Sequence, residues 1–303
     1  MDRLHVMEVF AAVAEAGSFA GAARRLRLSP AAVTRAVAAL EDRLGVRLVN
    51  RTTRSLSLTE PGQGYLAAVR RTLADLEEAE RLAAGTSGVP QGHLRLTAPV
   101  TFGRMHLMPV LADFLDAQPQ LTASLTLLDR VANLIEEGFD VAVRIAQLPD
   151  STMVARRVGE VRRLLVATPA YLARRGTPGK PEELGAHDVV AFEGMFPGGA
   201  WRFERDGRPQ SIELAPRLAV NDAAAAIAAA ERGEGITGAL SYMVAPQLAA
   251  GTLVPVLAEL APPPVPVQLV YPQSRLVAAK VRAFVDFAAP RLARAIAPPA
   301  GAG

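Results

Sequence analysis

The sequence predicts a helical head carrying a β-wing, then one long helix, then a larger α/β body. Three observations predict it. The first forty-odd residues show a 3.6-residue apolar period punctuated by helix caps. Gly85 to Gly92 (Gly-Thr-Ser-Gly-Val-Pro-Gln-Gly) is the clearest linker in the chain. Beyond it strand-like and helix-like segments alternate, which implies βαβ units and mainly parallel sheets.

Leu4, Met7, Val9, Phe10 and Val13 mark the apolar face of a first helix, which Gly17 ends. Ser18 caps a second, with Phe19, Ala22, Ala23 and Leu26 inward and Arg24, Arg25 and Arg27 outward. In Leu28-Ser29-Pro30, Ser29 caps and Pro30 takes the first helical position, where its missing N–H costs nothing. The third helix runs to about Leu44, with Val33, Val37 and Leu40 inward, and Gly45 stops it. A two-turn helix, a tight connection and a third helix make a helix-turn-helix. Val46 to Leu58 then alternates around Asn50-Arg51-Thr52-Thr53-Arg54, giving two short strands about an arginine-bearing tip. Thr59-Glu60-Pro61-Gly62 opens the long helix. Its stripe (Tyr65, Leu66, Val69, Leu73, Leu76, Ala79, Ala83) is too long and one-sided for a small head to cover, so it is expected to pair with a second copy.

In the body, strands are expected at His93 to Ala98, Leu121 to Leu128 and Asp140 to Ile145, with helices at Phe102 to Asp116 and Val131 to Glu137. Strands then recur at Leu164 to Thr168, Asp188 to Phe192, Trp201 to Arg205, Leu218 to Val220 and Gly235 to Ala239. Helices fall at Pro169 to Arg175, Asp222 to Arg232 and Leu276 to Ile296, and Pro262-Pro263-Pro264 is a turn or crossover.

Composition narrows the function. A chain of 303 residues suggests about two domains and needs no staple to hold a core. The absence of cysteine excludes disulfides, thiol catalysis, Cys-ligated zinc and iron–sulfur clusters. His5, His93, His106 and His187 are scattered, without metal spacing, so no metal or cofactor is expected. Asp2, Arg3, His5 and Glu8 interrupt any leader-like apolar run, and no stretch is long enough to span a bilayer. The cytoplasm is the expected compartment. Residues 1–60 hold nine Arg against six acids, whereas residues 91–303 carry a net charge of only +1. A basic head on a near-neutral body points to a polyanion at one end.

The head resembles the DNA-binding region of LysR-type transcriptional regulators. The resemblance rests on Phe10 to Leu26 (Phe-Ala-Ala-Val-Ala-Glu-Ala-Gly-Ser-Phe-Ala-Gly-Ala-Ala-Arg-Arg-Leu) and Leu28 to Arg35 (Leu-Ser-Pro-Ala-Ala-Val-Thr-Arg). Leu40 to Leu48 and Asn50 to Gly62 continue it in the family's order and spacing. Leu94-Arg-Leu-Thr-Ala-Pro, Phe102-Gly, Glu137 to Ile145 and Pro169-Ala-Tyr-Leu resemble that family's effector-binding region. The resemblance covers essentially the whole chain. It implies an N-terminal winged helix-turn-helix (1–60), a dimerising linker helix and hinge (61–90), and a two-lobe, periplasmic-binding-protein-like α/β effector domain (91–303). Lobe one would comprise 91–164 and 265–303, and lobe two 165–264.

The resemblance also implies the contacts. The third helix would lie in the major groove with Ser29, Pro30, Ala31, Thr34 and Arg35 outward, and Arg51, Thr52 and Arg54 of the wing beside the backbone or minor groove. Arg35 is the strongest candidate, because a guanidinium grips guanine or phosphate in bidentate fashion. Ala31 offers only a methyl contact where related proteins often carry a polar residue. Ligands of such two-lobe folds lie at strand carboxyl ends and helix N-termini. Those ends give Thr97, Ala98, Pro99, Thr101, Phe102, Asp129 and Arg144 in lobe one, and Thr168, the Phe196–Trp201 loop and Asn221 in lobe two. Structural alternatives make Thr97 and Asn221 helix caps, pair Arg144 with Asp129 and put Trp201 in the core. The implied partners are an operator in double-stranded DNA, a small organic acid or aromatic effector, further copies of the chain through linker helix and effector domain, and RNA polymerase. An enzyme is disfavoured: the sequence has no Gly-x-Ser-x-Gly elbow, P-loop or dinucleotide fingerprint. A purely architectural DNA binder leaves the body unexplained.

Overall fold

A computed structural model describes residues 2–51, 56–83, 89–148, 153–195, 199–205, 208–273 and 278–297. The head consists of α1 (Arg3–Ala16), α2 (Phe19–Leu26), α3 (Pro30–Leu44) and an antiparallel pair, β1 (Val49–Arg51) with β2 (Leu56–Leu58). Ser18 and Ser29 cap α2 and α3 by accepting from Gly21 N and Ala32 N, and Gly17 and Gly45 end α1 and α3 in the left-handed conformation. Val9, Phe10, Val13, Ala22, Val33, Val37 and Leu40 form a closed apolar core.

The long helix α4 (Glu60–Ala83) starts on Thr59, whose hydroxyl accepts from Gly62 N at 3.0 Å. Its apolar stripe divides. Leu66 and Val69, with Tyr65 and Leu73 half-buried beside them, complete the head's own core, and the Tyr65 ring lies 5.6 Å from that of Phe10. The expectation that the whole stripe meets a second copy is corrected for this first half. Beyond it Leu76 is half-buried and Ala79 exposed, while the Ala83 side chain lies outside the described residues.

The body holds two five-stranded sheets. In lobe one the order is β4-β3-β5-β14-β6. β3 (Gly92–Ala98), β4 (Leu121–Leu127) and β5 (Val141–Ile145) run parallel, and β14 (Val265–Pro272) lies antiparallel between β5 and β6 (Met153–Val161). In lobe two the order is β11-β8-β12-β7-β13. Here β8 (Val189–Phe192), β11 (Leu218–Val220) and β12 (Ile236–Leu240) are parallel, whereas β7 (Arg163–Ala167) is antiparallel to both β12 and β13 (Val254–Val256). A hairpin, β9 (Ala200–Arg205) with β10 (Arg208–Glu213), packs Trp201 into the core at 2% exposure. One apolar core runs through both lobes and is separate from the head's core.

The helices follow the strands. α5 comprises Val100–Phe102, a π turn at Gly103–Leu107 and Met108–Ala117. Next come α6 (Leu134–Glu137), α7 (Pro169–Arg175), α8 (Ala223–Glu231), α9 (Ala245–Ala250) and α10 (Ala279–Ile296). The expected helix at Val131 to Glu137 is shorter, because Asn133 caps it by accepting from Ile135 N and Glu136 N. The beginning expected for the last helix, at Leu276, falls outside the described residues. Both sheets are mixed rather than mainly parallel, since β6, β13 and β14 escaped the sequence pattern. β14 carries Pro266 and Pro272, and β6 carries an Arg pair and Gly159 opposite a register shift, so neither reads as clean alternation. β7 already takes Arg163 and Leu164 into lobe two's sheet, two residues earlier than expected.

Candidate functional site

In the head, the connection from α2 to α3 is tight because Arg27 adopts the left-handed conformation and Leu28 N reaches back to Ala23 O. The first turn of α3 therefore stands clear. Ser29, Pro30, Ala31 and Arg35 are exposed, and Thr34 is half-buried with its hydroxyl donating to Pro30 O at 2.9 Å. Arg35 makes no ion pair with a described residue, whereas Arg25 is held by Glu15 at 2.8 Å. Glu41, further along α3, accepts from Leu48 N at 2.8 Å and Val49 N at 3.0 Å, fixing the wing to the helix. The Arg51 backbone belongs to β1; its side chain, Thr52 and Arg54 lie outside the described residues.

In the body, parallel β3, β4 and β5 carry Pro99 to Phe102, Asp129 and Arg144 to one edge of lobe one. Asp129 Oδ1 accepts from Val100 N at 3.0 Å and ties two of these loops together. Arg144 does not pair with Asp129. Its guanidinium donates to the Ala132 carbonyl, and burial lowers its pKa against the opposing pull of Glu137. Glu137 takes both Arg130 Nη groups at 2.7 Å and also accepts from Asn133 N, so the 129–137 loop is rigidly braced. The Arg130 hydrogen bonds are the main reason its carboxyl lies below the usual carboxylate range. Thr97 and Ala98 are strand residues, and they and Thr101 and Phe102 are all buried; Thr97 caps nothing.

Lobe two turns the same kind of edge toward lobe one. Arg163 lies opposite Leu240, and Ser241 N donates to Arg162 O at 2.8 Å while Arg162 N donates to Ser241 Oγ at 3.1 Å. Asn221, exposed after β11, sits at this carboxyl edge; the cap of α8 is Asp222, which accepts from Ala225 N at 2.8 Å. Thr168 is a correction. Because β7 is antiparallel to β12, its carboxyl end lies at the far edge of lobe two, where Thr168 caps α7 by accepting from Tyr171 N. Phe196 in the expected ligand loop lies outside the described residues, and Trp201 is core.

Sequence reasoning missed two residues that the fold brings to the same edge. The π turn aims His106 at Phe102, with ring centroids 5.2 Å apart. Tyr242, in the turn after β12, closes the triangle at 5.4 Å from Phe102 and 5.3 Å from His106. His106 Nε2 and the Tyr242 hydroxyl are sealed from solvent, and neither has a hydrogen-bond partner among the described residues. Such orphans cost about 1–3 kcal/mol each. Burial lowers the His106 pKa; burial, then the Asp129 charge, raises that of Tyr242. Both rings are therefore neutral at pH 7. The signal available in sequence was Ser241-Tyr242 shortly after the strand expected at Gly235 to Ala239, and a histidine one helical turn beyond Phe102.

Among the described residues no cluster of three or more His, Asp or Glu could hold a metal, and no helix is long and apolar enough to cross a membrane. Two surface hollows lie away from the lobe junction. One of about 540 Å³ lies beside α3 and the wing, and one of about 340 Å³ is lined by Arg217, Leu218 and Arg232 at the far end of β11.

An exposed recognition-type helix with a wing, joined to a two-lobe α/β body whose strand ends face one another, defines a DNA-binding regulator with an effector domain. Residues 4–63 match the bacterial regulatory helix-turn-helix family of lysR type, and residues 87–293 match the LysR substrate binding domain. The chain belongs to the LysR family of transcriptional regulators. It is 35% identical to an HTH-type transcriptional repressor of Pseudomonas aeruginosa, over 95% of this chain and 91% of that one. It is 34% identical to the HTH-type transcriptional regulator CrgA of Neisseria meningitidis, over 93% of this chain and 94% of that one. The solved structure of CrgA superposes with a TM-score of 0.60 at 33% identity, covering 95% of this chain and 98% of CrgA. That of full-length AphB, a virulence activator of Vibrio cholerae, gives 0.60 at 28% identity, with the same coverage.

Proposed function

We propose that the chain is a sequence-specific regulator that binds a pseudo-palindromic operator as a dimer or tetramer and answers to a small molecule held between the lobes. The observation that carries this reading is the exposed outer face of the first turns of α3, with Arg35 making no ion pair among the described residues, on the same chain as two lobes whose strand ends face each other. Ser29, Pro30, Ala31, Thr34 and Arg35 would read the major groove, and Arg51, Thr52 and Arg54 the backbone or minor groove. Thr97, Ala98, Pro99, Thr101, Phe102, Asp129, Arg144 and Asn221 are the effector candidates at the facing edges. The far half of α4 would join two chains, spacing the two α3 helices for half-sites about one helical turn apart. Ligand binding would shift the population of lobe and subunit arrangements and so the bend or spacing imposed on DNA. The chain would act in the cytoplasm by binding rather than catalysis, with RNA polymerase as a further partner.

The test is a footprint on DNA upstream of its own gene, with non-specific competitor and an Arg35→Ala control. A discrete footprint lost in the variant supports the reading. Weak binding everywhere, abolished by competitor, would favour an architectural role.

A further inference from the structure

Resting on the regulator reading above, we infer that His106 and Tyr242 form the recognition point for an uncharged effector. Its chemical class is an apolar or aromatic body bearing one neutral hydrogen-bonding group, such as an amide or hydroxyl, rather than a carboxylate.

The two polar atoms come from opposite lobes: His106 rides on the π turn of lobe one, and Tyr242 follows β12 of lobe two. Their rings touch edge to face, so one small molecule wedged between the lobes reaches both. Each lacks a partner among the described residues although it is sealed from water, which marks an unfilled hydrogen-bonding demand where few such atoms occur. A tyrosine hydroxyl donates or accepts, and a neutral imidazole Nε2 does either according to tautomer. An amide or hydroxyl meets both demands. The Phe102 ring, fully buried beside them, supplies the apolar wall.

Charge argues against an anion here. The carboxylate acting on the Tyr242 hydroxyl is Asp129, which would repel a bound carboxylate. Of the cations at the same edge, Arg144 is committed to the Ala132 carbonyl and faces Glu137, and neither it nor Arg163 is among the charges that act on the His106 or Tyr242 ring. Burial holds His106 in its neutral form, so it brings no compensating charge. An anion would therefore be desolvated without a counter-ion, which is costly, whereas a neutral polar group loses little. Entry requires the rings to part. The lobes would part about the chain crossings at Arg162 and between Val256 and Val265, and π turns like the one that carries His106 are frequent at functional sites.

The test uses the full chain, its Tyr242→Phe and His106→Phe variants, and three probes of one ring size: benzamide, benzoate and toluene. Binding is read by titration calorimetry, and variant folding by circular dichroism and melting temperature. Expected is benzamide binding at least tenfold tighter than benzoate or toluene, reduced tenfold or more in Tyr242→Phe. Without ligand, Tyr242→Phe is expected to melt no lower than the parent, since it removes only an unpartnered hydroxyl. Preference for benzoate, binding indifferent to both substitutions, or no binding of any probe at its solubility limit overturns the inference. The footprint is scored separately: a chain that protects its operator yet fails here loses this inference and keeps the regulator reading.

Discussion

Arg35 and Arg25 differ in what they have to lose. Arg25 spends its charge on Glu15, whereas Arg35 projects from the second turn of α3 without a described ion-pair partner. Arg35→Ala is therefore expected to weaken specific operator binding by about 1–3 kcal/mol and to reduce the salt slope by about one, with an unchanged melting temperature. Arg25→Ala is expected to leave the salt slope nearly as it was. A gel-shift series in salt separates them; equal effects would mean that net charge, not position, governs binding. Histidines give a second residue-level expectation. Burial lowers the folded-state pKa of His93, His106 and His187, with Arg95 and Arg175 adding to it for His93 and His187 respectively. A lowered value means that the unfolded chain binds protons first. This part of the stability is complete above the ordinary histidine pKa of about 6.5 and is lost as pH falls through the folded values. Melting temperature should accordingly fall from pH 7.5 toward pH 5, and a rise over that window would contradict the burial of these rings.

Among the elements, the wing shows how a local fold hangs on few contacts. The Glu41 carboxylate receives two backbone N–H groups of the wing's approach, and a Cβ at Gly62 would lie 2.0 Å from the Leu48 carbonyl oxygen. Glu41→Ala is expected to cost about 1.5–3 kcal/mol, as hydrogen bonds to a charged group do. Gly62→Ala is expected to cost about 1–3 kcal/mol by forcing backbone apart. Denaturant melts of a head fragment read both, and a neutral Gly62→Ala would show that α4 does not press on the wing. The helices of the head were legible because each carries its own signals: Ser18, Ser29 with Pro30, Gly17 and Gly45 act within one turn of their own positions. Strands β6, β13 and β14 were not legible, since their pairing is set by residues far away in the chain (Val254 opposite Ala167, Val265 opposite Val161) and their Pro, Gly and Arg content breaks the period. The same limit explains the site. Pro99 to Phe102, Asp129 and Arg144 follow from strand ends, which local pattern reveals. Thr168 misled because strand direction is a property of the sheet, and the pairing of His106 with Tyr242 was not legible because only the lobe junction brings them together.

At the scale of the whole molecule, the head and the body bury separate apolar cores, whereas the two lobes share one. The chain enters lobe one, crosses to lobe two at Arg162 and returns to complete lobe one's sheet with β14 and its core with α10. Lobe one is therefore unfinished until lobe two has been traversed, and the body should fold as one unit. Head and body meet at a polar group, Arg70 of α4, which lies near Gly138 of lobe one and feels the charge of Arg95, while within the head it is bonded to Glu15 at 3.3 Å. A contact of exposed or half-exposed charges contributes roughly 0–1 kcal/mol, too little to fuse two cores into one cooperative transition. Calorimetry of the full chain should thus show two transitions. Fragments 1–83 and 89–303 should each melt within a few degrees of one of them, and the fragment 89–303 should melt as a single step. One transition in the full chain, shifted in both fragments, would mean that the approach of Arg70 to lobe one couples head to body strongly. Arg70→Ala should then split that transition in two, which makes the origin of the coupling measurable.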